Sequence, residues 1–182
     1  MTSSTLAANQ FLIVTDATRA FGPGGGLPVP GAMNIVATIR NHLFPLFPKA
    51  RRIFVYDIHP YGHITFASSY FDREPGIITI QEVLQGKVKL APHALFTIND
   101  LIEYLMRLPK REFRTWPDHA VAGTDQVLPL PGLSFDDFAF IFPKGHNPLI
   151  DSYSAFRDTL WNPTGLKPLL KSMGGEKLYH AG

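Results

Sequence analysis

Cysteine is absent from all 182 residues. That absence excludes disulfides, thiolate metal ligands and a cysteine nucleophile within them. Charge of either sign is in modest supply, with 17 Lys and Arg against 15 acids and a formal balance of +2, so neither nucleic acid nor an anionic membrane is expected as a partner. Long apolar runs are also missing. The longest near the N-terminus is Phe11 to Val14, and it follows the polar stretch "MTSSTLAANQ". Neither a signal peptide nor a spanning helix is expected, and the chain reads as soluble, intracellular and cytoplasmic. The glycines of "GPGGG" match neither G-x-x-x-x-G-K-[ST] nor G-x-G-x-x-G with a ribose-binding acid, which argues against a nucleotide loop.

What is present fits a globular domain. Apolar residues make up 45% and charged residues 18%, an ordinary balance, and the length suits one domain with a core of its own. The runs "QFLIVTDA", "RRIFVYDIH" and "DDFAFIFPKG" are apolar on both faces, as strands of a parallel, two-sided sheet are. Between the first two, Ile35, Ile39, Leu43 and Leu46 fall near helical spacing after the loop "FGPGGGLPVPG", giving a βαβ unit. Thr97 is placed to cap a helix whose stripe is Leu101, Ile102, Leu105 and Leu108, and Thr79 a shorter one. "NPTGLKPLLKSMGG" reads as a helix stopped by Gly174 and Gly175, and "EKLYHA" as a fourth strand. The expected class is α/β: a three-layer, doubly wound parallel sheet of Rossmann-like type.

In such sheets ligands collect outside the carboxyl ends of the strands. Asp16 ends the first run, Asp57 and His59 the second, and Lys144 the third. Asp57-Ile58-His59 is a D-x-H pair whose members share one side of an extended segment. A carboxylate with an imidazole suits zinc, manganese or iron, and His119 in "WPDH" is the best third ligand. The alternative is a strand-end acid and a turn histidine satisfied by backbone. A buried Asp16 suits general acid or base work, or else caps the next loop. Lys144, flanked by Pro143 and Gly145, is a catalytic candidate or an exposed loop cation. Phe21, Trp116, Tyr153 and Phe156 either wall a flat aromatic pocket or pack in the core.

Taken together, "FLIVTDATRAFGPGGGLPVPGA", "YDIHPYGHITFAS", "WPDHAVAGT", "FPKG" and "DSYSAF" resemble, in order, the nicotinamidase branch of the isochorismatase-like cysteine hydrolases. The resemblance covers residues 1–182 as one hydrolase domain, with 71–115 standing out as an enlarged insertion. It implies hydrolysis of nicotinamide to nicotinate and ammonia in NAD salvage. Asp16 matches the base that activates a cysteine and Lys144 the catalytic lysine. Asp57, His59 and His119 match ligands of one divalent metal, zinc first, with His63 a further candidate. Phe21 and Trp116 match the residues that sandwich the pyridine ring, and Tyr153 and Phe156 fall where the pocket wall continues. The D-x-H pair argues against the isochorismatase branch, which lacks this metal site. One departure is small: "DATRAF" stands where the family has "DxQNDF", with Ala20 replacing an acid. The other is large. In the family a strand like "KLYHAG" is followed by a short loop and the nucleophilic cysteine, and none is present. The expectation is therefore an enzyme truncated before its nucleophile, its C-terminal part missing. The alternative is a non-catalytic metal and pyridine binding protein. A homo-oligomer covering the edge of the last strand is compatible with either.

Overall fold

The computed structural model describes residues 9–182. The reading of the N-terminal stretch as neither signal nor span falls mostly on residues 1–8, outside those described. Among the described residues no helix is long and apolar enough to cross a membrane.

Four strands form one sheet in the order β5-β2-β1-β6, all parallel. They are β1 (Gln10–Thr15), β2 (Arg52–Asp57), β5 (Phe140–Lys144) and β6 (Lys177–Ala181), the four apolar runs read from the sequence. The central pair is buried on both faces because its residues are apolar at consecutive positions. Leu12, Val14 and Phe54 point to one side, where Val36, Ile39, Phe47 and Leu130 pack. Phe11, Ile13, Ile53 and Val55 point to the other, against Leu166 and Leu170. The edge strands are more exposed than a two-sided reading expects, with Ile141 at 38% and Leu178 at 41%. An edge position also accommodates Pro143, whose missing N–H costs no ladder bond there.

Helix α1 (Asn34–Thr38) widens into a π-type turn over Ile39–Leu43 and covers the first face. Helix α4 (Leu166–Ser172) covers the second, starting at Gly165, whose φ of 92° needs no Cβ, and closing where the Gly174 N–H reaches back to Lys171. The result is a three-layer α/β sandwich.

Between β2 and β5 the chain builds a second core. Strands β3 (Ile77–Thr79) and β4 (Glu112–Arg114) pair antiparallel beside α2 (Ile80–Leu84) and α3 (Ile98–Arg107). Thr79 and Thr97 each accept from the backbone N–H three residues on, while Glu82 and Asp100 reach back to the cap amides. Both expected capping boxes are thus formed. Leu101, Tyr104 and Leu105 of α3 bury against Ile78, Ile80, Val83 and Phe113. That cluster also takes in Ile64 and Tyr70, so the 71–115 stretch is packed onto the segment that follows β2.

Register decides where the site lies. Asp57 and Lys144 are direct partners at the carboxyl ends of β2 and β5, and Thr15 opposite Val55 brings Asp16 alongside. The sheet reverses its order of growth between β1 and β6, so Asp16 stands beside the switch point, where open α/β sheets place ligands.

Candidate active site

Asp16 leaves the sheet with a left-handed backbone, φ 56°, a conformation uncommon for a residue with a Cβ. It is held by its own N–H donating to Val55 O (2.9 Å), while Asp16 Oδ1 accepts the N–H of Asp57 (3.1 Å). Lys144 is 4% exposed, which rules out the exposed-loop reading. Its Nζ donates to Asp57 Oδ1 (2.6 Å), Asp16 Oδ2 (3.0 Å) and Ser152 O (3.3 Å). All three ammonium hydrogens are spent within the protein. Lys144 therefore acts as a fixed positive charge tying two carboxylates together.

Burial pushes the Asp16 carboxyl up to about 6, helped by the nearby Asp57 charge and opposed by Lys144. Burial also raises Asp57, against the pull of Lys144. Lys144 itself stays charged: burial works against it, but the carboxylates of Asp57 and Asp16 hold it above the usual lysine value. A carboxylate titrating near 6 is suited to take and return a proton at neutral pH.

Asp57, His59 and His119 offer ligand atoms that all lie within 4.8 Å of one another, and all three are buried. His59 Nδ1 is 2.8 Å from Gly145 O, and His119 Nδ1 is 2.8 Å from Pro117 O. A carbonyl can only accept, so Nδ1 carries a hydrogen in both rings and Nε2 is the nitrogen left to face the cluster. His59 Nε2 lies 3.7 Å from Asp57 Oδ1. Burial, with the neighbouring His119, lowers His59 to about 3, keeping it neutral. Imidazoles whose other nitrogen donates to a carbonyl, beside a carboxylate, are the donor set of a divalent transition metal. The residues fit such an ion.

The loop carrying His119 is brought there by a short parallel bridge, His59 N–H to Ala120 O (2.9 Å) and Ala122 N–H to His59 O (2.8 Å). Ala120 takes φ 47° to make that turn. Phe66, fully buried, lies under His59, His63 and His119 with ring centroids 5.4 to 5.7 Å away. Gly145 must be glycine twice over: φ is 69°, and a Cβ would stand 2.8 Å from His59 Nδ1.

His63 is brought close to His59, centroids 4.6 Å apart, but both its nitrogens are engaged. Nε2–H donates to Asn147 O (2.8 Å) and Nδ1 accepts from the Thr65 hydroxyl (2.8 Å). It braces the cluster and has no lone pair left for an ion. Burial, together with His59, lowers it to about 4.

A cavity of about 230 Å³ joins these groups, bounded by Asp16, Lys144, the metal cluster, Phe21, Trp116 and Tyr153. Phe21 meets His119 edge to face at 5.6 Å. Trp116 Nε1–H donates to Tyr153 Oη at 2.9 Å. Phe156 lies elsewhere, packed with the cluster of Phe11, Ile53 and Leu166 on one face of the sheet. Its aromatic character suits either place, and only the backbone path separates it from Tyr153. The cavity also takes in Asp151 and Ser152, which sequence reasoning passed over although both stand in the quoted "DSYSAF".

No family model matches the chain. A nicotinamidase of Acinetobacter baylyi is 33% identical over 177 residues, a match covering 97% of this chain and 69% of that protein. A solved structure described as an Acinetobacter baumanii nicotinamidase and pyrazinamidase superposes with TM-score 0.73 at 28% identity, over 97% of this chain and 71% of that one. The pyrazinamidase of Pyrococcus horikoshii, solved in complex with zinc, gives TM-score 0.59 at 25% identity, over 94% of this chain and 69% of that one.

Proposed function

The chain belongs to the nicotinamidase family, and on that premise we propose that residues 9–182 form the substrate and metal site of an amide hydrolase acting on nicotinamide. The observation carrying the proposal is the joining, in one cavity, of a three-residue metal cluster, an Asp and Lys pair and two aromatic walls. Zinc is the proposed ion, held by Asp57, His59 and His119. The bound ion would supply a Lewis-acid anchor for a pyridine nitrogen and water.

The chain's own residues do the rest. Phe21 and Trp116 offer two aromatic surfaces to a flat ring, which sets the carboxamide toward Asp16. Asp16, with its raised carboxyl, accepts a proton from an incoming nucleophile and returns it to the departing nitrogen as ammonia leaves. Lys144 holds Asp16 in place and lends positive charge to a region where oxygen becomes negative during amide attack. The nucleophile implied by the family is a thiolate, and none of the 182 residues supplies one. These residues bind and orient, and acyl transfer by the family route needs a thiol beside Asp16.

Calorimetry tests the reading directly. Nicotinamide and nicotinate titrated into zinc-loaded protein are expected to bind, and neither should bind after chelation of the metal. No heat from either ligand with zinc present would sink it.

A further inference from the structure

The glycine loop after Ala20 matches no nucleotide motif, yet both of its ends enter the cavity, Phe21 at one and Leu27 at the other. It folds back on its own start: the Leu27 N–H donates to Ala20 O (3.0 Å) and the Val29 N–H to Phe21 O (2.9 Å). Near its far end, Gly26 lies directly against the loop that delivers the candidate metal ligand His119. A Cβ on Gly26 would collide with Asp118 O and stand 2.9 Å from His119 Cα. The φ of Gly26 is outside the left-handed region, so space and not torsion demands glycine here.

One side chain spans that junction. Gln126 Oε1 accepts the N–H of Gly26 (3.3 Å) and the N–H of Ala120 (3.1 Å). Both partners are donors, so the oxygen of the amide and not its nitrogen faces them, and both of its lone pairs are used. Gln126 stands on a fixed base, a single 3-10 turn over Asp125–Val127. Just beyond it, the Arg19 N–H donates to Leu128 O (2.9 Å) and the Leu130 N–H to Ala17 O (2.9 Å). Ala120 is fixed as well, because its carbonyl accepts the N–H of His59 (2.9 Å). The neighbouring Arg19–Asp125 ion pair, at 3.3 Å, has side chains 45% and 71% exposed and adds little. Phe21 and His119, the residues joined in this way, meet edge to face at 5.6 Å.

We propose that Gln126 is a positioning residue for ring binding: its amide oxygen locks the loop carrying Phe21 and Leu27 to the loop carrying His119. The lock fixes the gap between the aromatic wall and the proposed ion, into which a flat pyridine carboxamide must fit. The proposal rests on the reading of the cavity given under Proposed function.

Two observables test it. The Leu27 N–H is bonded to Ala20 O and not to Gln126, so its exchange with water reports whether the loop as a whole is held, with neither zinc nor ligand present. Calorimetry with nicotinamide on zinc-saturated protein reports the gap. Gln126 is half-buried and belongs to no core cluster, so its variants are expected to fold. Gln126→Met keeps the length and removes the oxygen; it should hasten Leu27 exchange and weaken nicotinamide about tenfold, the order of two modest hydrogen bonds. Gln126→Glu keeps an acceptor in the same place and should bring both quantities back toward those of the unaltered chain, which a role in packing alone would not do. Gly26→Ala forces the same two loops apart, so combined with Gln126→Met it should weaken nicotinamide no more than the stronger of the two does alone. Unchanged Leu27 exchange in Gln126→Met, equal effects of Met and Glu, or additive effects in the double variant would each overturn the proposal. If the unaltered zinc-saturated protein binds no nicotinamide, the reading of the cavity fails, and Leu27 exchange then judges the lock alone.

Discussion

Asp57 and Lys144 face one another in register across two parallel strands, and their side chains meet at 2.6 Å with both residues buried. Removing one member of a buried pair leaves the other charge uncompensated, at a cost of about 3–5 kcal/mol. Here two carboxylates would be left facing each other. Lys144→Met is therefore expected to lower unfolding stability by about that amount at pH 8, read from urea midpoints. The loss should shrink at pH 5, because Asp16, already raised to about 6, is then protonated. A loss independent of pH would show that the lysine contributes packing alone.

Zinc affinity should separate the three histidines. His59→Ala and His119→Ala each remove an Nε2 lone pair and are expected to weaken zinc by more than the roughly 10–100-fold typical of losing an outer partner. His63→Gln should stay within that outer range, since both nitrogens of His63 are occupied by Asn147 and Thr65. Competition against a chromophoric chelator measures all three. An effect of His63→Gln as large as that of His119→Ala would place His63 among the ligands.

His59 and His63 should each make the metal-free protein lose stability on acidification. Unfolded imidazoles take up protons below about 6.5, whereas His59 and His63 in the fold do so only near 3 and 4. Between those limits the unfolded chain holds more protons, so stability drops by about 1.4 kcal/mol per pH unit for each ring. Asp16 and Asp57 act in the opposite sense, because burial raises both folded carboxyls, Asp16 to about 6, above the roughly 4 of unfolded ones. His63→Gln removes one ring's contribution, so in the presence of EDTA its stability should fall less steeply from pH 6 to 4 than that of the unaltered chain, by up to about 1.4 kcal/mol per unit. Urea midpoints report it, and equal slopes for the two proteins contradict it.

Gly145→Ala is expected to abolish tight zinc binding although glycine carries no ligand. The left-handed backbone costs a residue with a Cβ about 1–2 kcal/mol. The new methyl would also stand 2.8 Å from His59 Nδ1 and 3.3 Å from Asp57 Oδ1, displacing the ring from its carbonyl. Chelator competition is again the measurement, and zinc affinity equal to that of the unaltered chain would refute the packing argument.

The sheet was legible because its signal is local. Four short apolar runs with polar ends specify parallel strands, and the ends of three of them place Asp16, Asp57 and Lys144 on one edge. Both capping boxes were equally plain, since Thr79 with Glu82 and Thr97 with Asp100 sit three residues apart. The D-x-H pair was visible as chemistry, but its third member was not fixed by spacing, because His119 arrives through a bridge between segments some 60 residues apart. Phe156 and Tyr153 show the limit most clearly. Both are aromatic and three residues apart, yet one packs in the core on a face of the sheet and the other bounds the cavity. Gly145 stayed hidden for a related reason. Its importance lies in how closely an imidazole from another segment approaches it, and no local pattern carries that.

The two carbonyls that accept from His59 and His119 have a consequence for how an ion would enter. Since Gly145 O and Pro117 O already hold the Nδ1 hydrogens, Nε2 is the nitrogen that faces the cluster in both rings before any ion arrives. Uptake of zinc at neutral pH should then expel no proton from His59, which burial keeps neutral, and neither ring needs to turn over to meet it. The cluster is set in its receiving orientation by the main chain, so the fold itself does the work that reorientation would otherwise demand of the incoming metal.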